Sequence, residues 1–375
     1  MTRVHVIMFS ISRTQCIKEL FPAEPTFRLK QAEEALFLPG KKGWDDVQTL
    51  PKLMRETLVR EVPWMSVRKV QILESARKDT FKAVVEVEGG KRMETVLMQN
   101  ARDQWTVCVS SQVGCAMRCT FCATGKMGLT RNLYADEIID QIRFWRYFLE
   151  HKSTEHSVVP SVGVGSAQDD KGGRISNIVF MGMGEPLANY ENVKSSLNTI
   201  LARTDIGPTH ITVSTVGVLP RLEQILTDAE WPHVRLAVSL HSADPKTRKE
   251  IVPTSFEDFL PRLLDWTQNY LRVLGNRRHH LTFEYVMLHG VNDTVHHAEV
   301  LADFVKRAGQ VKVNLIPYNF TDSEFESTPK RDLDRFMDQL KNQGVIVMSR
   351  RTMGEDIAAA CGQLIIKQNA SQTTA

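Results

Sequence analysis

A chain of 375 residues, 42% hydrophobic and 24% charged, is long enough to bury one large core and a smaller one beside it. Its net charge of +3 creates no whole-molecule field for nucleic acid, so any basic surface is local, and pairs such as Arg277-Arg278 and Arg350-Arg351 read first as solvated surface. No stretch approaches the roughly 18–20 apolar residues of a membrane span, and the opening MTRVHVIMFSISRTQ turns polar too soon for a secretory signal. A cytoplasmic protein with reduced thiols is therefore expected.

Helical spacing in 27–37 and 45–61 predicts a small helical N-terminal domain, and 68–77 with 80–98 reads as strands with a Gly-Gly turn. From Trp105 onward the chain alternates. Short β-branched runs at 106–111, 177–181, 210–215, 234–239, 281–287, 312–316 and 345–349 are separated by helical patterns near 134–150, 191–203, 219–229, 257–274, 296–308 and 330–343. That alternation predicts an α/β fold, a parallel sheet of right-handed βαβ units closed only partly, as a (β/α)6-type barrel with short linking strands before it. Residues 151–174 lack periodicity and are rich in Ser and Gly, which predicts a long exposed loop. The expected organisation is a helical domain at 1–65, linking strands at 66–100, the barrel at 101–350 and a C-terminal segment at 351–375.

In such barrels chemistry is built at the C-terminal ends of the strands. The chemistry-bearing residues fall there repeatedly: a cysteine loop after the first strand, GMGEP (182–186) after the second, Ser214 at the end of the third, Ser239, Leu240 and His241 at the end of the fourth, Asn314 and Tyr318 around the end of the sixth. Cys115, Cys119 and Cys122 have the C-x3-C-x2-C spacing with which one loop can hold a cubane iron–sulfur cluster, leaving one iron with an open position. The alternative is a zinc knot, which needs a fourth ligand; the next histidine is His151, in the expected loop. Read singly, Ser214 and His241 are satisfied strand-end polar groups and Glu94, in RMETVLM, an outward solvated residue of a strand.

CAMRCTFC matches the radical S-adenosylmethionine signature. With CVSSQVGCAMRCTFCATG, MGMGEPLANYENV, VSTVGVLP, VSLHSADP, EYVMLHGVND, VNLIPYN and RRTMGEDIAAACGQL, the chain resembles the RlmN/Cfr group of RNA adenine methyltransferases over about 27–366. Pro186 in GMGEP resembles the RlmN subgroup, which acts on adenine C2; Cfr proteins carry Ala there and act on C8. The helical N-terminal part is similar to the small RNA-contacting domain of RlmN.

The resemblance implies a [4Fe-4S] cluster on Cys115, Cys119 and Cys122, whose open iron chelates S-adenosylmethionine and delivers an electron to its sulfonium, giving a 5′-deoxyadenosyl radical. A radical route suits adenine C2, an electron-poor carbon that cannot attack a methyl sulfonium itself. Gly184 and Glu185 match the family's cofactor motif, and Ser214, Ser239, Leu240, His241 and Asn314 match further cofactor-contacting positions. Cys361 matches the cysteine that is S-methylated and then carries the carbon to the base, Cys108 the thiol that resolves the resulting enzyme–RNA bridge, and Glu94 the proton acceptor. Cys16 matches nothing.

The implied substrates are a peptidyl-transferase-centre adenine of 23S rRNA and, in addition, an anticodon-loop adenine of tRNA, where bases can splay from the stack. An electron donor such as flavodoxin or ferredoxin, a monomeric state and no membrane association are expected. The reading from sequence keeps two competitors: a radical enzyme on another substrate, C8 of adenine included, and a non-enzymatic zinc or electron-transfer protein.

Overall fold

The computed structural model describes residues 12–155, 173–274, 281–309 and 311–365. The segment 156–172, most of the expected loop, lies outside the described residues, as do Arg277-Arg278 and the chain beyond 365.

Strands β1 (Arg68–Glu74), β2 (Thr80–Val87) and β3 (Lys91–Gln99) form an antiparallel meander. Gly89 and Gly90, at φ 71° and 67°, make the turn between β2 and β3 because a left-handed backbone is nearly free of cost only for glycine. Strand β4 (Trp105–Cys108) pairs with β3, and a small hairpin, β5 (Gln112–Gly114) with β6 (Leu129–Asn132), follows it. Then come β7 (Ile175–Phe180), β8 (Ile211–Thr215), β9 (Arg235–Ser239), β10 (Leu281–Met287), β11 (Lys312–Pro317) and β12 (Val347–Ser349). The large sheet runs β1-β2-β3-β4-β7-β8-β9-β10-β11-β12, and from β4 every pairing is parallel. These are the seven expected strands in chain order, joined by six helical crossovers, and β4 continues into the meander instead of pairing with β12. The barrel is open.

Ile178, Val213, Leu236, Phe283, Tyr285, Val313 and Leu315 on these strands have no solvent exposure, each worth roughly 1.5–3 kcal/mol when removed from water. Helix Val295–Ala308 shows how the outer layer is specified. The Thr294 side chain caps its first turn, Ala298, Leu301, Ala302 and Val305 form its buried stripe, and Gly309 at φ 102° ends it.

Helix Ala135–Glu155 buries Ile138, Ile142, Trp145 and Leu149 on one face. It runs further than its apolar pattern near 134–150, so the first residues of the expected 151–174 loop are helical. Lys152 provides the physical reason, its Nζ lying 3.9 Å from the Phe81 ring centroid and 3.4 Å from a Glu74 oxygen, contacts that reward one more turn.

Ahead of the sheet, helices Arg13–Leu20, Thr26–Ala35 and Lys52–Glu61 surround a small core of their own around Trp44, Leu50, Met54 and Leu58, with Cys16 buried in it. The first of these helices has no counterpart in the sequence reading. Asp140, fully buried on the 135–155 helix, anchors this bundle: it pairs with Arg13 and Arg143 and accepts from the Ser66 amide at 2.6 Å. Burial alone would raise its carboxyl, but the two guanidinium groups outweigh burial and hold it down at about 2. Among the described residues no helix is long and apolar enough to cross a membrane.

Candidate active site

The β5–β6 hairpin frames the cysteine loop. Gly114, at φ 79°, must be glycine, since a Cβ there would fall 1.9 Å from the Gly128 carbonyl oxygen, and the Cys115 amide donates to that same oxygen at 2.9 Å. Cys122 caps the short helix Ala123–Lys126, and its amide donates to Cys119 at 3.1 Å. A loop closed this tightly brings the three sulfurs to one cavity. Burial pushes the Cys115 thiol up to about 12 and raises Cys119 and Cys122, and the thiols of the triad raise Cys115 and Cys119 further. Opposing this, the Met117 amide donates to Cys115, the Thr124 and Gly125 amides donate to Cys122, and Arg248 faces Cys119. Three soft thiolate donors with N–H groups aimed at sulfur fit an iron–sulfur cubane with one open coordination position. Among the described residues no three His, Cys, Asp or Glu side chains gather as a single-ion site.

The cavity in front of the triad runs across the C-terminal ends of the parallel strands and is walled by Gly184, Glu185, Ser214, Ser239, His241 and Cys361, among others. Gly184 has φ 102°, and a Cβ there would meet Gln112 Cβ at 2.6 Å, which lets the next residue turn inward. Glu185 is buried, its Oε1 accepting the Leu187 amide at 2.9 Å and its Oε2 the Val216 amide at 2.8 Å. Burial pushes this carboxyl up to about 6 against those hydrogen bonds; an ammonium group entering the cavity would restore its charge. Ser214 and Ser239 hydroxyls face each other at 3.5 Å.

His241 has φ 57°, and its Nδ1 accepts the Val286 amide at 3.1 Å. The ring proton is therefore on Nε2. Burial, helped by the charge of Arg248, lowers this histidine to about 3, so it is a neutral donor. Two expected residues do not line the cavity. Leu240 is fully buried in the core, its amide held by the Glu284 carbonyl at 2.9 Å, and Asn314 lies within β11, not at its end, donating to Glu284 Oε1 at 2.8 Å. Both are hydrogen-bonded to Glu284, Leu240 to its backbone carbonyl and Asn314 to its carboxylate.

Glu284 is a wall residue that the sequence reading missed. It is 2% exposed, lies inside the apolar strand LTFEYVM and faces Arg350, whose Nη2 and Nε approach at 3.3 Å. Its Oε2 takes no hydrogen bond of good geometry, and the Arg350 guanidinium answers its charge across 3.3 Å. An acid in a run of core residues was the available signal. Arg248, also missed, is 1% exposed and donates to the carbonyls of Ser239, Leu240 and Val216, locking the turns that present Ser239 and His241.

Cys361 opens to solvent and lines two cavities, the one with the triad and a neighbouring one of about 310 Å³ that also contains Cys108 and Arg350. Cys108 is buried, and burial raises its thiol, as does its proximity to Cys361, while the Arg350 guanidinium opposes the rise. Glu94 is not the outward, solvated residue that its strand pattern suggests: it is 3% exposed, pairs with Lys82 Nζ at 3.0 Å and accepts the Ile365 amide at 2.8 Å. It lies behind the cavities and does not line them. A larger cleft of about 890 Å³ between the helical bundle and the barrel has its charges already matched, Arg203 with Glu33 and Glu34 and Lys194 with Asp228, and contains no thiol.

Residues 165–305 match the family model described as the Radical SAM superfamily. The chain is 36% identical over 361 residues to the protein named "Probable dual-specificity RNA methyltransferase RlmN" of Deinococcus deserti, covering 95% of this chain and 97% of that one. It is also 36% identical over 353 residues to the dual-specificity RNA methyltransferase RlmN of Desulfotalea psychrophila, covering 93% and 92%. A radical SAM methyltransferase from Sphaerobacter thermophilus has the same fold, with a TM-score of 0.82 and 32% identity over 95% of this chain and 98% of that one.

Proposed function

The chain belongs to the radical SAM RNA methyltransferases of the RlmN kind, with a [4Fe-4S] cluster and S-adenosylmethionine as cofactors, and from that premise we propose that it methylates C2 of adenine in 23S rRNA and tRNA through an S-methylcysteine at Cys361. The observation that carries this reading is that Cys361 lines both the cavity of the cysteine triad and the cavity of Cys108. One thiol can then meet both the methyl donor and the resolving thiol. Pro186, seated against the Glu185 turn, supports C2 over C8 by subgroup resemblance.

Cys115, Cys119 and Cys122 hold the cluster. When bound, the cluster and S-adenosylmethionine supply one-electron chemistry that ends in abstraction of a hydrogen atom. Glu185 holds the cofactor's ammonium group, Gly184 leaves its backbone room, and Ser214, Ser239 and His241 orient the nucleoside end, with Leu240 and Asn314 shaping the wall through Glu284. Cys361 accepts a methyl group, loses one hydrogen atom from it and bonds through that carbon to adenine C2, and the unpaired electron left on the adduct would be taken up by the cluster held on Cys115, Cys119 and Cys122. By resemblance Glu94 is the acceptor of the C2 proton, although here it is buried behind the cavity wall in an ion pair with Lys82. Cys108 then attacks the sulfur of Cys361 as a thiolate, which forms the disulfide and breaks the sulfur–carbon bond; the departing carbon takes up a proton and becomes the methyl group of the base, and two-electron reduction of the disulfide by the electron donor closes the cycle.

In this reading residues 1–65 are the RNA-contacting domain, 66–100 linking strands, 101–350 the barrel and 351–375 the segment that carries Cys361. The exposed Phe27 and Leu53 of the helical bundle are surfaces on which splayed bases can stack or pack. The enzyme acts as a monomer reduced by a flavodoxin or ferredoxin. Mass analysis of nucleosides from 23S rRNA fragments and tRNA incubated with anaerobically reconstituted enzyme tests the assignment. 2-Methyladenosine is expected from both RNAs; 8-methyladenosine, or no methylated adenosine, overturns it.

A further inference from the structure

The segment that bears Cys361 is tied down on both sides of that thiol by one buried ion pair. Lys82, on β2, and Glu94, on β3, are 6% and 3% exposed and meet at 3.0 Å. The same Lys82 Nζ donates to the Ala358 carbonyl at 3.0 Å, and the other Glu94 oxygen accepts the Ile365 amide at 2.8 Å. Ala358 has φ 51°, a left-handed backbone that costs a non-glycine residue energy and persists only where its surroundings impose it. Between these tethers the Cys361 carbonyl accepts from Asn319 Nδ2 at 3.0 Å and the Gly362 carbonyl from the Ala123 amide at 2.8 Å. The linking strands hold the ends of the stretch while the cysteine loop and the β11 turn hold its middle.

A buried ion pair contributes little to folding that a well-packed apolar pair would not, since desolvation consumes most of the attraction. Its use must be sought in what it holds. We propose that the Lys82–Glu94 pair is a clamp that positions Cys361 between its two cavities, with Lys82 as a positioning residue. The function assigned to this clamp rests on Cys361 being the carbon carrier; the clamp itself does not.

Protonation of Glu94 removes the charge that Lys82 answers and weakens the acceptor that holds Ile365, so uptake of a proton loosens both ends together.

The test compares wild type with Lys82→Met and Lys82→Arg in the full chain, each reconstituted with its cluster. Lys82→Met should keep the iron–sulfur absorbance yet show at least tenfold faster amide hydrogen exchange over 355–365, a faster alkylation of Cys361, and at least tenfold less S-methyl at Cys361. Lys82→Arg, which restores a donor to Ala358 and an ion pair to Glu94, should recover most of the protection and most of the methyl. Wild-type exchange and wild-type S-methylation in Lys82→Met overturn the clamp. Should Lys82→Met fail to fold, Glu94→Gln serves in its place: a neutral amide keeps the shape and loses the pair, so unchanged exchange over 355–365 again overturns the proposal. Absence of S-methyl on Cys361 in the wild type would sink the methyl-carrier reading, whereas exchange would still report on the clamp.

Discussion

Cys108, on the first parallel strand, and Cys361, beyond the last one, line the same cavity with the Arg350 guanidinium beside them. Cys108 is the enclosed member of the pair and Cys361 the open one, a natural division between a resolving thiol and a thiol that meets substrate. The Cys108→Ala variant should bind the cluster, become methylated at Cys361, attack adenine and stop. A covalent enzyme–RNA species should survive denaturing electrophoresis and shrink to a nucleotide-tagged protein on RNase digestion. The double variant with Cys361→Ala should give none. Normal turnover by Cys108→Ala would remove it from the mechanism.

Replacing any one of Cys115, Cys119 or Cys122 by Ala leaves two thiolates, too few to hold a cubane in place. Each variant should lose the charge-transfer absorbance after anaerobic reconstitution and all cleavage of S-adenosylmethionine. Full iron content in any of them contradicts the assignment of the loop.

His241 makes stability depend on pH in a calculable sense. Its folded value of about 3 lies below the ordinary value of about 6.5, so the unfolded chain binds the proton more readily. The stabilising contribution is complete above about 6.5 and is lost as pH falls toward 3, at about 1.4 kcal/mol per pH unit. Urea denaturation of the cofactor-free protein between pH 6 and 4 should therefore fall more steeply for wild type than for His241→Asn, whose amide oxygen can accept the Val286 N–H without titrating. Parallel slopes would mean that the imidazole does not stay neutral.

Gly184→Ala should cost about 1–3 kcal/mol of stability, because the backbone is left-handed and Cβ would sit 2.6 Å from Gln112. Relief of that clash displaces Glu185, so binding of S-adenosylmethionine to the reconstituted variant should weaken by at least tenfold while the iron content stays at the wild-type level. Wild-type affinity, read by equilibrium dialysis, would show that the Glu185 turn does not hold the cofactor.

The parallel part of the fold was legible because each strand is a short β-branched run between helical patterns; 210–215 became Ile211–Thr215 and 312–316 became Lys312–Pro317. Helix Pro245–Ile251, with the sequence PKTRKEI, was not legible, since it carries no apolar stripe; its purpose is to bury Arg248 against three carbonyls, a tertiary contact without a local signal. Helix Arg13–Leu20 escaped for the same reason, its key contact being with Asp140 far along the chain. Strand alternation misjudged Glu94 because the face opposite the core is covered by residues 358–365, which arrive from the far end of the sequence. That Cys115, Cys119, Cys122 and Glu185 share one cavity was readable because their spacing is local; Glu284 and Lys82 depend on what comes to rest against them.

The contacts that tie the Cys361 segment to the strands and the cysteine loop join residues remote in sequence: Glu94 with Ile365, Thr124 with Leu364, Lys82 with Ala358. Closing such long loops costs entropy that only the assembled barrel can repay, and the segment concerned leaves the ribosome after every strand it rests on. During synthesis the cysteine loop is therefore complete in sequence before the residues that pack on it, Gly362 and Leu364, exist.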